Sequence, residues 1–213
     1  MMGRIQVTTE AFKDMPVKEL ASHLSTGKAV PGGGTASAVS GAMAAGLVGM
    51  VARLTRKRKK FESVWSQMES VLEEADALRE DLLELAQDDS EAFSGVMKAW
   101  KLPGGEEKTR ALERATMTAA EVPLKVTRRC LRVMQLSGET VARGNPMAVT
   151  DGLVALEMAG AGLKGAAYNV QINLGDLPPG DFRSETEEEL AQNLEAADEI
   201  LERCRRLGQD KLG

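Results

Sequence analysis

Apolar side chains recur with helical period over residues 62–100: Val64, Met68, Val71, Ala75, Leu78, Leu82, Leu85, Ala92, Val96 and Ala99 form one stripe. That spacing predicts a single long helix with one buried face. One position on the stripe breaks the rule, because Asp89 is polar. The same reading predicts five further helices: a short one over 16–24, then 35–55, 106–142, 147–174 and 184–207. Leu102-Pro103-Gly104-Gly105, Arg143-Gly144-Asn145-Pro146 and Leu177-Pro178-Pro179-Gly180 are the breaks between them. Pro123 falls inside the fourth and is expected to kink or split it near Val122. No alternating run predicts a strand. The expectation is an all-α fold, one domain over 1–213, built as a bundle of long antiparallel helices.

The second helix differs from the rest. Ala38, Ala42, Ala45, Gly46 and Gly49 repeat at helical spacing along it, which lets another backbone approach closely. Its residues 35–52 carry no charge and a basic run follows, a pattern shared with membrane spans. Ala, Gly, Ser and Met dominate it, however, and a buried helix without membrane insertion is the expectation. Net charge is −5 and aromatics are 3% of the 213 residues, which argues against nucleic-acid binding. Cys130 and Cys204 are the only cysteines and His23 the only histidine. That supply suits a reduced, cytoplasmic setting and makes a metal site or a His-based nucleophile unexpected. Acid–base chemistry then falls to carboxylates, lysines or Tyr168.

Three constellations could carry chemistry. Gly32, Gly33, Gly34 and Thr35 open the second helix, where bare N–H groups favour an anion. The run Arg56-Lys57-Arg58-Lys59-Lys60 closes the same helix and adds positive charge, although a solvated helix end would look the same. Asp89 is either a structural partner for a hydroxyl or basic group, or a carboxylate with a tuned proton affinity. On the fifth helix, Asp151, Ala155, Met158, Gly162, Ala166, Asn169 and Asn173 share one face, polar at both ends. The asparagines there could bridge helices or read a polar ligand edge.

Taken together, seven segments give the chain a resemblance to a known family. They are Pro31-Gly32-Gly33-Gly34-Thr35; Leu54-Thr55 with Arg58-Lys59-Lys60-Phe61-Glu62; Asp89-Ser90-Glu91-Ala92-Phe93; Lys101-Leu102-Pro103; Val122-Pro123-Leu124; Gly144-Asn145 with Ala148-Val149-Thr150-Asp151; and residues 165–174. Each is short, but in this order and spacing they resemble the formiminotetrahydrofolate cyclodeaminase family, which includes stand-alone methenyltetrahydrofolate cyclohydrolases. The resemblance runs over about residues 17–182. One departure is Lys57, where the family often has glycine before the basic pair.

The resemblance implies an all-helical homodimer with a folate site lined by these motifs. The substrate is then a tetrahydrofolate derivative, with one or several glutamates on its tail, and no separate cofactor. Gly32, Gly33, Gly34, Thr35, Arg58 and Lys59 are the expected contacts to the anionic tail, and Asn145, Asn169 and Asn173 to the rest of the ligand. Asp89 and Asp151 are the expected proton carriers, jointly, with neither assigned as acid or base. The leading expectation is cyclodeamination of 5-formiminotetrahydrofolate to 5,10-methenyltetrahydrofolate and ammonia. The alternative is methenyltetrahydrofolate cyclohydrolase, and more remotely a non-enzymatic folate-binding or scaffold protein.

Overall fold

The computed structural model describes residues 12–212. After a 3-10 turn at Phe12–Asp14 come six α-helices: α1 (Val17–Leu24), α2 (Gly33–Arg56), α3 (Trp65–Trp100), α4 (Glu106–Arg143), α5 (Val149–Gly175) and α6 (Asp181–Leu212). Short 3-10 turns at Lys59–Val64 and Pro146–Ala148 lead into α3 and α5. No strand occurs among the described residues. The all-α expectation therefore stands, with longer helices than the periodicity alone gave at both ends of α2 and α6.

α2 runs through the middle of the bundle, with α3 and α5 beside it and α4 packed on all three. Ala38, Ala42, Ala45, Val48 and Ala52 of α2 are buried with Met68 and Leu82 of α3, Met134 of α4 and Leu163 of α5. The small residues allow this. A Cβ on Gly162 would lie 2.7 Å from the Ser37 carbonyl oxygen, so α5 meets the α2 backbone directly. Contact at that range forbids any side chain, and the helix-propensity cost of each glycine, about 1 kcal/mol, is offset by packing. Gly46 behaves differently: a Cβ there meets nothing within 4 Å. It faces away from the crossings inside the chain. α2 is the one described helix long and apolar enough to cross a membrane, and 61% of its most apolar window is buried against its neighbours.

Pro123 does not split the fourth helix, which is continuous from Glu106 to Arg143. Proline removes the N–H that would bond the carbonyl four residues back, at a helix cost of about 3 kcal/mol. Here that carbonyl belongs to Ala119, and the Asn173 side-chain amide of α5 donates to it at 2.7 Å. Pro123 itself is buried. A neighbouring helix supplies the missing donor, so the kinking force expected from sequence is met across the interface.

Candidate functional site

Asp89 projects from α3 onto the start of α2. Gly34 admits it: a Cβ on Gly34 would fall 2.1 Å from the Asp89 Oδ1. The Thr35 hydroxyl donates to Asp89 Oδ2 at 3.1 Å and also reaches the Ala86 carbonyl at 3.4 Å. Gly32 offers α2 no side-chain cap. The carboxylate from α3 is thus the anion at this helix N-terminus, where the N–H groups and the dipole favour negative charge. The Thr35 backbone N–H also bonds Asp89, so this carboxylate takes up part of the helix start where a substrate carboxylate is expected at Gly32, Gly33, Gly34 and Thr35. The long apolar stripe of α3 packs on α2, and its single acid lands where α2 begins.

Asp89 is partly buried, and burial raises its pKa above the usual 3.8, while the Thr35 hydroxyl and backbone N–H draw it back down. A half-desolvated carboxylate with one fixed hydroxyl partner is suited to taking and returning a proton.

Asn169 and Asn173 of α5 lie at the same end. The ideal Cβ of Gly33 stands 3.7 Å from the Asn169 Nδ2, so Asp89 and Asn169 flank consecutive glycines. The Asn169 Nδ2 donates to the Gly165 carbonyl at 2.9 Å, and the Asn173 Nδ2 to the Asn169 and Ala119 carbonyls at 2.8 and 2.7 Å. Both asparagines therefore bridge backbone, and Asn173 ties α5 to α4. Sequence reasoning missed the part of Pro123 in this. The available signal was a helical proline, which always leaves a carbonyl needing a donor.

The remaining expected residues are elsewhere. Arg58 and Lys59 are exposed beyond the far end of α2, and neither is ion-paired among the described residues. With 24 residues in α2, the two ends stand roughly 36 Å apart. Asn145 is 6% exposed at that far end. Its N–H donates to the Thr55 hydroxyl at 2.9 Å and its Oδ1 accepts from Met147 N–H at 3.1 Å, which caps the turn into α5. Asp151 sits in the first turn of α5. Eighteen residues of rigid helix place it on the order of 27 Å from Asn169. One chain thus does not bring Asp151 to Asp89, nor Arg58 and Lys59 to the glycine loop. Within one chain, the two carboxylates expected to act jointly stand at opposite ends of the bundle.

A model of the formiminotransferase-cyclodeaminase family matches residues 16–192. The chain belongs to that family. Its members are folate one-carbon enzymes. A methenyltetrahydrofolate cyclohydrolase from Methylorubrum extorquens is 39% identical over 201 residues, covering 92% of this chain and 93% of that protein. The formimidoyltransferase-cyclodeaminase of Gallus gallus is 32% identical over 174 residues, 79% of this chain. This chain spans only 32% of that longer relative. Among solved structures, a formiminotetrahydrofolate cyclodeaminase from Thermotoga maritima superposes with a TM-score of 0.88 at 32% identity, covering 94% of this chain and 99% of that one. The family motifs quoted from sequence fall at both ends of α2, not at one.

Proposed function

We propose that this chain is a methenyltetrahydrofolate cyclohydrolase, opening 5,10-methenyltetrahydrofolate to 10-formyltetrahydrofolate. The observation that carries this reading is the 39% identity to a cyclohydrolase along nearly the full length of both chains. In this reaction water adds to the cationic carbon between N5 and N10, and a base takes the water proton. The C–N5 bond then breaks, its electron pair goes to N5, which takes a proton, and the hydroxyl on the carbon gives up its proton as the formyl C=O forms on N10. Asp89 carries the proton in both directions, and its negative form stabilises the cation beside it. Its raised pKa and its Thr35 partner support that role. No separate cofactor or metal takes part.

Cyclodeamination is the second reading, favoured by the whole-length match to the Thermotoga cyclodeaminase. There N10 attacks the formimino carbon, ammonia leaves, and the same carboxylate serves. Supplying each substrate separately decides the matter. Methenyltetrahydrofolate has a near-ultraviolet band, which a cyclohydrolase bleaches faster than buffer does. A cyclodeaminase generates that band from 5-formiminotetrahydrofolate with release of ammonia. Acceleration of neither reaction would refute both readings.

The working unit on this proposal is a cytoplasmic homodimer that binds neither nucleic acid nor membrane. α2 and α5 leave an apolar face open: Met43 is 42% exposed and Val154 49%, and Val39, Leu47 and Met50 are partly exposed on the same side. Apolar surface of this kind on a central helix suits a self-complementary contact. Gly46 stands twelve residues from Gly34 and twelve from Arg58, with open space above it. A two-fold crossing of antiparallel α2 helices there carries each basic end, roughly 18 Å from the axis, toward the partner's Asp89 end. Arg58 and Lys59 then meet the folate tail, with its one or several glutamates, from across the interface. Mixing Asp89→Asn with Arg58→Ala chains tests this. With a polyglutamylated folate held at a concentration that limits Arg58→Ala, shared sites would recover about one quarter of wild-type turnover across the randomly reassorted mixture, and sites within one chain would recover none.

A further inference from the structure

We propose that Pro123 is a positioning residue of the folate site: through the Ala119 carbonyl it holds the Asn173 amide so that Asn173 and Asn169 offer oxygen acceptors beside Asp89. The surface so made selects a ligand edge of N–H donors. The inference deepens the folate reading and rests on it.

The geometry runs through four groups. Pro123 cannot donate to the Ala119 carbonyl, so that oxygen is left for a side chain. The Asn173 Nδ2 fills it at 2.7 Å, and donates its second hydrogen to the Asn169 carbonyl at 2.8 Å. An amide nitrogen carries two hydrogens, and both of these are engaged. Carbonyl oxygens can only accept, so the reverse orientation of the amide is excluded at this position. The Asn169 Nδ2 is likewise turned inward, to the Gly165 carbonyl. Neither Oδ1 has a hydrogen-bond partner among the described residues, and neither is among the buried orphan atoms. Neither oxygen is therefore fully buried, and both asparagines are half-buried. Asp89, on the other side of the Gly33–Gly34 step, adds a carboxylate.

Three acceptor-bearing side chains at the start of α2 thus present oxygens, while the asparagine donors are occupied by backbone. The reduced pterin ring of a tetrahydrofolate carries matching donors at N3–H, N8–H and its 2-amino group. An alanine at 123 would supply an N–H to the Ala119 carbonyl as in any α-helix. That N–H would compete with the Asn173 amide for the Ala119 carbonyl, loosening the anchor on α4 and letting the amide turn hydrogens to the ligand.

The test is a double-mutant cycle read in KM and kcat with 5,10-methenyltetrahydrofolate. Wild-type turnover is measured first, so that failure of the folate reading shows as no activity before any variant is compared. Pro123→Ala is expected to raise KM about tenfold, the size of one lost hydrogen bond, and to leave kcat nearly unchanged. Asn173→Leu should raise KM by at least as much. The decisive reading is the combination. If Pro123 acts through Asn173, the double variant Pro123→Ala/Asn173→Leu is no worse than Asn173→Leu alone. An unchanged KM in Pro123→Ala overturns the proposal, whatever its melting temperature. So do KM effects that multiply in the double variant, since they would make Pro123 a packing residue independent of the asparagine.

Discussion

Replacing Gly34 with alanine asks whether the place of Asp89 matters, without touching Asp89. The new Cβ would stand 2.1 Å from Oδ1, 2.5 Å from Cγ and 2.7 Å from Oδ2. Ordinary contact is about 3.4 Å, so the carboxylate must retreat by roughly 1 Å and give up its bond to Thr35. A displacement of that size at a reacting group costs about 10²-fold in turnover, and complete loss of a general base costs about 10²–10⁴-fold. We expect kcat to fall about 10²-fold with KM changed much less. Stability should not fall with it, because Asp89 can swing toward solvent and alanine favours helix over glycine by up to about 1 kcal/mol. The assay is the bleaching of the methenyl band, with melting followed by circular dichroism. Gly95→Ala on α3, where a Cβ meets nothing within 4 Å, is the matched control for a helical glycine. Turnover in Gly34→Ala within twofold of wild type would refute the assignment of Asp89 as the proton carrier. A large drop in melting temperature with turnover per folded molecule intact would make Gly34 a packing position only.

Asp89→Asn should lower turnover by about 10²–10⁴-fold and remove the acid limb of the kcat/KM profile, which in the wild type lies above the ordinary carboxylate range. Because the folded state raises the pKa of Asp89, its contribution to stability is full below pH 3.8 and is lost as pH rises through the raised value; denaturation of wild type and Asp89→Asn across that window should converge at the acid end. Gly162→Ala should destabilise by about 1–3 kcal/mol in urea, since its Cβ would press on the α2 backbone at Ser37, and a stability equal to wild type would count against that crossing. Lys59→Ala should weaken a polyglutamylated folate more than a monoglutamate, with the difference shrinking in added salt, and equal losses would remove Lys59 from the tail site. Burial pushes the Cys130 thiol up to about 12, so thiol reagents should leave it unlabelled in the native protein at pH 8 and label it in denaturant.

Helices were legible in the sequence because burial on one face imposes a period that survives without any knowledge of partners. The stripe from Met68 to Ala99, the breaks at Pro103 and Pro146, and the oddity of Asp89 all follow from that local rule. The family, too, was legible, since short motifs keep order and spacing along the chain. What each polar residue meets was decided only in three dimensions. Asp89 and Gly34 are 55 positions apart, and nothing local says that one fills the helix N-terminus offered by the other. Pro123 was read as a helix breaker because sequence shows the missing N–H and not the Asn173 amide that replaces it across the α4–α5 contact. The glycine loop and the basic run looked like one site because they bound one helix. A helix of 24 residues is a rigid rod roughly 36 Å long, so its two ends cannot serve the same ligand from one chain. Closeness along the sequence sets the register of a helix, whereas a site needs closeness in space, and rigid helices separate the two.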